Sequence, residues 1–276
     1  VLLGLAAALL AAVLFGVIAV VQASVIRAHG LFSPMMGGVL VAYLIGWVLH
    51  LVAIDRVPLY LAQVGVGASL VVTALVASFV IGEPLRAVHW WAVAGMAGGL
   101  AVLAVASGSV GDSTFTDTTT VVLYALLALN AALGWLAYRW QGRWSGVALG
   151  ILAGTAYGGS PVATRVLTDL SRHPASLVPA ASIGLYGALG FVLYSVAMQR
   201  TSVTAATAPL VLLQTVIPAL VGIGVFGDSV RGGWWPAAAA AFGVCLVASY
   251  VLCGAEAQVE VLDPLPDDVA VGDQAS

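Results

Sequence analysis

The spacing of the charges settles which solvent this chain folds in. Between one charged residue and the next, the sequence leaves nine uncharged stretches of at least 21 residues: 1–26, 30–54, 57–82, 87–111, 118–138, 144–164, 173–199, 201–227 and 232–255. A helix needs about 20 apolar residues to cross the hydrocarbon core of a bilayer, so each stretch is a candidate span. Lipid admits only structures that satisfy their own backbone, which means helices or closed barrels. Barrel strands would alternate polar and apolar over about 10 residues, and these stretches do not alternate. The expectation is an all-α integral membrane protein with nine transmembrane helices.

Composition agrees. Of 276 residues, 62% are hydrophobic and 8% charged, against about 25% charged in a soluble domain. Such a chain cannot wet a globular surface, which excludes a soluble enzyme, a nucleic-acid binder and a disordered chain. Its first partner is the lipid bilayer. All nine basic residues are Arg, and six of the twelve acids (Glu256, Glu260, Asp263, Asp267, Asp268 and Asp273) fall in the last 21 residues. With Pro264 and Pro266 beside them, the segment 256–276 reads as an acidic disordered tail. Arg without Lys, beside abundant Ala, Val and Gly, suits a GC-rich genome. Cys245 and Cys253 would sit about 12 Å apart on one helix, too far for a disulfide. The first stretch is too long, and lacks the basic leader, for a plain signal peptide. A start at Val1 suggests that some N-terminal residues are missing.

An internal repeat is visible. Phe15-Gly16 matches Tyr157-Gly158, and Ala53-x-x-Arg56 matches Ala197-x-x-Arg200. Gly82-Glu83-Pro84-Leu85-Arg86, with Trp90 beyond it, matches Gly227-Asp228-Ser229-Val230-Arg231 with Trp235. The offsets are 142, 144 and 145. Helices one to four then correspond to six to nine, with the fifth as connector. The domains are a first four-helix repeat at 1–111, a loop and connector helix at 112–143, a second four-helix repeat at 144–255, and the tail. Equivalent helices stand five apart in order, so each enters the membrane opposite to its partner. This 4+1+4 inverted-topology repeat is an architecture typical of secondary transporters, with substrate near the midplane. Five Arg on the face opposite the N-terminus against four on the other favour a cytoplasmic C-terminus in a multi-pass cell membrane protein, expected in a bacterial inner membrane.

The segments AIDRVPLYLAQ and GEPLRAVHWWAVAGMAGGLAVL resemble the drug/metabolite transporter superfamily, whose EamA-type repeats share a Gly-Glu-x-Leu element before their last helix. The resemblance covers about 1–255, in both halves. It implies a transporter fold and leaves the cargo open. Typical EamA-type members have five helices per half. The four-one-four layout is closer to the NIPA-like magnesium transporter branch.

Polar residues at membrane depth mark the candidate site. We take Gln22, Tyr43, Gln63, Ser69, Tyr157, Ser160, Arg165, Tyr194, Thr207 and Gln214 as substrate-binding candidates, because uncharged polar groups in hydrocarbon need partners and together could line a neutral, amphipathic cavity. Each could instead serve only in interhelical hydrogen bonds. Pro161, Pro209 and Pro218 interrupt spans and are candidate hinges. Arg165 would snorkel to the interface or hold an anionic group, with Asp169 at i+4 as resting partner. Gly82 to Arg86 and its copy read as helix stop and start signals. Asp55, Glu83, Asp169 and Asp228 all fall at helix ends, which counts against a magnesium site or a proton antiporter.

Gly95-x-x-x-Gly99 in helix four fits close helix packing, within the chain or across a homodimer. No Walker sequence, HExxH or GxSxG element occurs, so neither an enzyme nor a cofactor is expected. The leading expectation is a secondary transporter that moves a small organic solute by alternating access. A NIPA-like divalent cation transporter and a non-transporting membrane scaffold subunit are the alternatives.

Overall fold

The computed structural model describes residues 2–29, 34–81, 85–111, 117–140, 143–170, 177–201 and 203–261. Glu83, Pro84, the tail from 262 onward, and the side chains of Gln22, Asp169 and Thr207 lie outside the described residues. Among the described residues ten helices form: α1 Leu2–His29, α2 Pro34–Arg56, α3 Leu59–Gly67, α4 Ser69–Ile81, α5 Ala87–Ala106, α6 Asp117–Arg139, α7 Arg143–Leu170, α8 Leu177–Arg200, α9 Val203–Gly224 and α10 Trp235–Val261. Among the described residues there is no strand, only an isolated antiparallel bridge between Ser107 and Val230.

Each uncharged stretch carries one helix, except that 57–82 carries two. Pro58, extended at ψ 146°, starts α3, since its missing N–H costs nothing at a helix entrance. The break before α4 falls at Ala68, whose N–H is shared between Val64 O and Gly65 O. Gly65 and Gly67 weaken the helix there.

Among the described residues six segments are long and apolar enough to cross a membrane: Gly37–Arg56, Leu59–Val76, Ala87–Ala106, Asp117–Arg139, Ala180–Ala197 and Trp235–Leu252. Leu2–Ile18 and Ala208–Gly224 are shorter apolar helices. Phe79 is 85% exposed, Trp91 78% and Trp144 69%. A surface this apolar is out of place in water and ordinary against lipid tails.

Small residues bring the helices close, as expected where lipid tails compete equally for large apolar side chains. α1 packs between α2 and the α3–α4 pair, α7 between α8 and α9, α5 against α10, and α3 against α9. Gly4 lies against Arg56 and Val57, and Gly46 against the Phe15 ring, so α1 and α2 run antiparallel. Gly146 against Thr201 and Gly190 against Tyr157 make α7 and α8 antiparallel too. Gly65 meets Ala8, and Gly16 meets Ser69 and Val72, which sets α1 parallel to α3–α4. Gly150 on Ala206, Gly154 on Leu210 and Gly158 on Leu213 and Ile217 set α7 parallel to α9. The pair Gly95 and Gly99 packs against Val244, Ala241 and Cys245 of α10, so this stripe is used inside the molecule.

Candidate functional site

The first residues of interest are polar side chains carried on α2, α3, α7 and α8. Tyr43 stacks on Phe15, with ring centroids 6.0 Å apart and planes 28° from parallel. Gly46 makes room for the Phe15 ring: a Cβ there would come within 2.6 Å of it. Gly190 does the same for Tyr157, at 3.0 Å. Tyr157 is in electrostatic reach of both Tyr43 and Tyr194. Two turns along α2 from Tyr43, His50 Nε2 lies 3.4 Å from the Gln63 amide nitrogen. An amide nitrogen only donates, so Nε2 accepts and the imidazole proton belongs on Nδ1. That Nδ1 is buried with no hydrogen-bond partner in the structure, while Gln63 is 7% exposed. The group therefore offers aromatic faces, hydroxyls, an amide and one unsatisfied imidazole N–H, with no formal charge among them.

Of the residues expected from sequence, Tyr43, Gln63, Tyr157 and Tyr194 belong to this group. Ser69 packs against Gly16, and its carbonyl accepts the Thr73 hydroxyl at 3.0 Å. Gln214 packs beside Gly158, and Ser160 is half-buried on α7. Gln22 and Thr207 are outside the described side chains. Pro161 stands inside α7, and Pro209 and Pro218 inside α9. Pro161 cannot donate to the carbonyl four residues back, which is that of Tyr157. Other buried polar groups join helices: Tyr186 donates to Leu123 O at 2.8 Å, and the Asn130 amide donates to Thr155 Oγ1 and Leu152 O.

The second group closes one end of the bundle. Its centre is an ion pair between Arg165 Nη2 and Asp228 Oδ1 at 3.0 Å, with side chains 3% and 0% exposed. Arg165 Nη1 also donates to Ile54 O and, at 3.4 Å, to Val57 O, and Nη2 donates to Gly111 O at 3.1 Å. The Asp228 carboxylate accepts from Leu59 N at 2.6 Å, the first residue of α3, and from Gly111 N at 2.8 Å. A helix N-terminus is a natural seat for a negative charge. Two glycines aim the carboxylate. Gly227, at φ +76°, takes the left-handed turn that returns the chain, and Asp228 N then reaches Gly222 O at 2.8 Å. A side chain on Gly222 would meet Asp228 Oδ2 at 2.6 Å.

A strap of backbone bonds surrounds the pair: Gly108 N to Ser229 O, Ser229 N to Ser109 O and Arg231 N to Ala106 O, at 2.9–3.1 Å. Tyr60 Oη donates to Ser229 O, and the Ser109 and Ser229 hydroxyls lie 2.8 Å apart.

The described carboxylate partner of Arg165 is thus Asp228, 63 residues along the chain, where local spacing suggests Asp169. The two partners of the pair were each visible as charges, but nothing in the spacing links them. His50, Tyr60 and Ser229 also carry weight; His50 is legible in the sequence as a polar group at membrane depth, whereas Tyr60 and Ser229 have no such signal. An imidazole inside an uncharged run was the available signal for the first. Asp55 is half-exposed and bonded at 3.0 Å to its neighbour Arg56. Among the described residues, no three His, Cys, Asp or Glu side chains come together in a way that could hold a metal ion. No protein-family model, curated protein or solved structure matches the chain.

Proposed function

We propose that this chain is a secondary transporter that moves a small organic solute across a cell membrane by alternating access. In this reading nine spans form a 4+1+4 inverted repeat, with α3 and α4 together serving as the third span and α6 as connector. The drug/metabolite resemblance, a bacterial inner membrane and a cytoplasmic C-terminus belong to the same proposal.

The packing contacts add to the support that the matched motifs give the repeat. Gly4 with Val57 recurs as Gly146 with Thr201, and Phe15 with Gly46 recurs as Tyr157 with Gly190. Gly16 with Ser69 and Val72 recurs as Gly158 with Gln214 and Ile217. The offsets are 142 in the first helix of each repeat, 144 in the second and 145 in the third. Inversion has separate support. Tyr43 is near Tyr157 while Ile54 and Val57 are near Arg165, so α2 and α7 run the same way. Since α1 opposes α2, it also opposes α7, its repeat partner.

The observation that carries the function is the uncharged polar group between the halves, with Tyr43, His50 and Gln63 from one and Tyr157 and Tyr194 from the other. Such a site can orient an amphipathic organic molecule through hydroxyl, amide and imidazole groups while stacking its apolar part. A bare divalent cation would want several oxygens and a carboxylate, which this group does not offer.

The test is thermal unfolding of the purified protein in detergent against metabolites, drugs and Mg²⁺. A ligand at 100 times its Kd stabilises the native state by about 2.7 kcal/mol. One organic class should raise the midpoint, and Tyr157→Ala or Gln63→Ala should abolish that rise. A response to Mg²⁺ alone, lost on Asp55→Asn, would replace this reading with a cation transporter. No response to any compound would favour a scaffold subunit.

A further inference from the structure

We propose that the Arg165–Asp228 cluster is a reversible gate that holds shut the membrane mouth on its own face of the bundle. The proposal rests on the transporter reading, and deepens it by naming the device that must open.

Both charges lie in the second repeat: Arg165 on α7 and Asp228 after α9. Every group they hold beyond each other among those described above lies in the first: the carbonyls of Ile54, Val57 and Gly111, and the N–H groups of Leu59 and Gly111. The second half thus carries a preassembled, neutralised plug, and the first half supplies a ring of backbone donors and acceptors that fits it. The strap repeats this division, because Ala106, Gly108 and Ser109 from the first half bond Ser229 and Arg231 from the second.

That division makes the cluster suited to opening. Separating two opposite charges in a dry site is costly, since each is left uncompensated. Here the halves can part with the ion pair intact. No bond exchanged across the seam joins two charges, so water entering the mouth can replace each one while the ion pair stays whole. A cluster meant only to hold the fold would gain nothing from keeping both charges on one side. The position also suits a gate. Gln63 stands one turn deeper along α3 than Leu59, so the solute group begins directly beneath the plug. Ile54, whose carbonyl Arg165 holds, is one turn from His50 on α2. A solute that shifts His50 or Gln63 therefore acts on the elements that seat the plug.

The test uses Gln63→Cys as reporter, with Cys245 and Cys253 replaced by alanine, in proteoliposomes labelled by a membrane-impermeant maleimide from each face separately. Asp228→Asn leaves Arg165 without its counter-charge and unseats the plug. Labelling from the face that carries the Arg165–Asp228 cluster, the latch face, should rise at least tenfold, with no rise from the opposite face. An unchanged rate would overturn the proposal. Because Asp228→Asn could also loosen the whole fold, a second variant approaches from the other direction. Ser109→Cys with Ser229→Cys, whose hydroxyls lie 2.8 Å apart, can be oxidised to lock the mouth. Oxidation should cut latch-face labelling at least tenfold and leave the opposite face unaffected; equal labelling in oxidised and reduced protein would overturn the gate. A gate that responds in both variants while no solute stabilises the protein would remove the transporter reading alone. Solute stabilisation with labelling indifferent to both variants would remove the gate alone.

Discussion

Two arginines serve opposite ends of the bundle, and they differ in what they join. Arg165 is buried with Asp228 and reaches the end of α2 and the segment after α5. Arg200, at the end of α8, donates to Tyr138 O at 2.7 Å, Trp140 O at 3.0 Å and Ser145 Oγ at 2.8 Å, and its guanidinium lies 4.5 Å from the Tyr138 ring centre. These partners all fall between 138 and 200, so this network ties α8 to the corner between α6 and α7. Ser145 and Arg165 stand 20 residues apart on α7, about 30 Å along the axis, roughly the thickness of a bilayer core. The same side chain is thus a dry link from α7 to the ends of α2 and α3 at one face and a half-exposed brace between α8 and the α6–α7 corner at the other. Guanidinium chemistry is constant; burial and partner decide its weight.

Removing a charge at each end measures that difference. Arg165→Met leaves Asp228 buried and uncompensated, and should lower unfolding free energy by about 3–5 kcal/mol, read by denaturant titration in mixed micelles. A loss under about 1 kcal/mol would mean that water already reaches the pair. Gly222→Ala disturbs the same cluster without removing a charge, because the new methyl would press on Asp228 Oδ2 and on Leu59 Cβ, 2.9 Å away. Overpacking of this kind should cost about 1–3 kcal/mol. Arg200→Ala should cost about 1 kcal/mol or less, since water can replace the lost bonds at a half-exposed site. Equal effects at Arg165 and Arg200 would break the comparison. Tyr157→Phe should have the smallest effect on stability, within about 0.5 kcal/mol, yet reduce the ligand-induced rise in unfolding midpoint.

Helix positions were legible because lipid enforces them. A run without charge and long enough to span has few alternatives in hydrocarbon, and so the uncharged stretches and the helices coincide to within a few residues. The split of 57–82 into α3 and α4 was not legible, since Gly65 and Gly67 occur among many glycines that do not break a helix. Gly95 and Gly99 could be read as a packing stripe, but only the fold shows that α10 fills it. The candidate site was legible only in kind: Tyr43, Gln63, Tyr157 and Tyr194 stand out in the sequence as polar groups in need of partners. Their mutual nearness was not, because it depends on α2 and α7 running side by side. The pairing of Arg165 with Asp228 was hidden for a related reason. Sequence spacing reveals i+4 neighbours on one helix, such as Asp169, and says nothing about a carboxylate returned by the turn at Gly227.

The central claim is that two inverted halves rock about the polar group between them. Distances between paired spin labels test it most directly, in a background with Cys245 and Cys253 replaced by alanine. One pair, Asp55→Cys and Val225→Cys, spans the halves at the latch face; the other, Val88→Cys and Trp140→Cys, spans from the first repeat to the connector corner at the opposite face. Val225 is 73% exposed, Val88 47% and Trp140 62%, and Asp55 is half-exposed, so labels fit without repacking. Introducing Asp228→Asn should lengthen the first distance and shorten the second. If both distances stay fixed, or change in the same sense, the halves do not rock and the account is wrong.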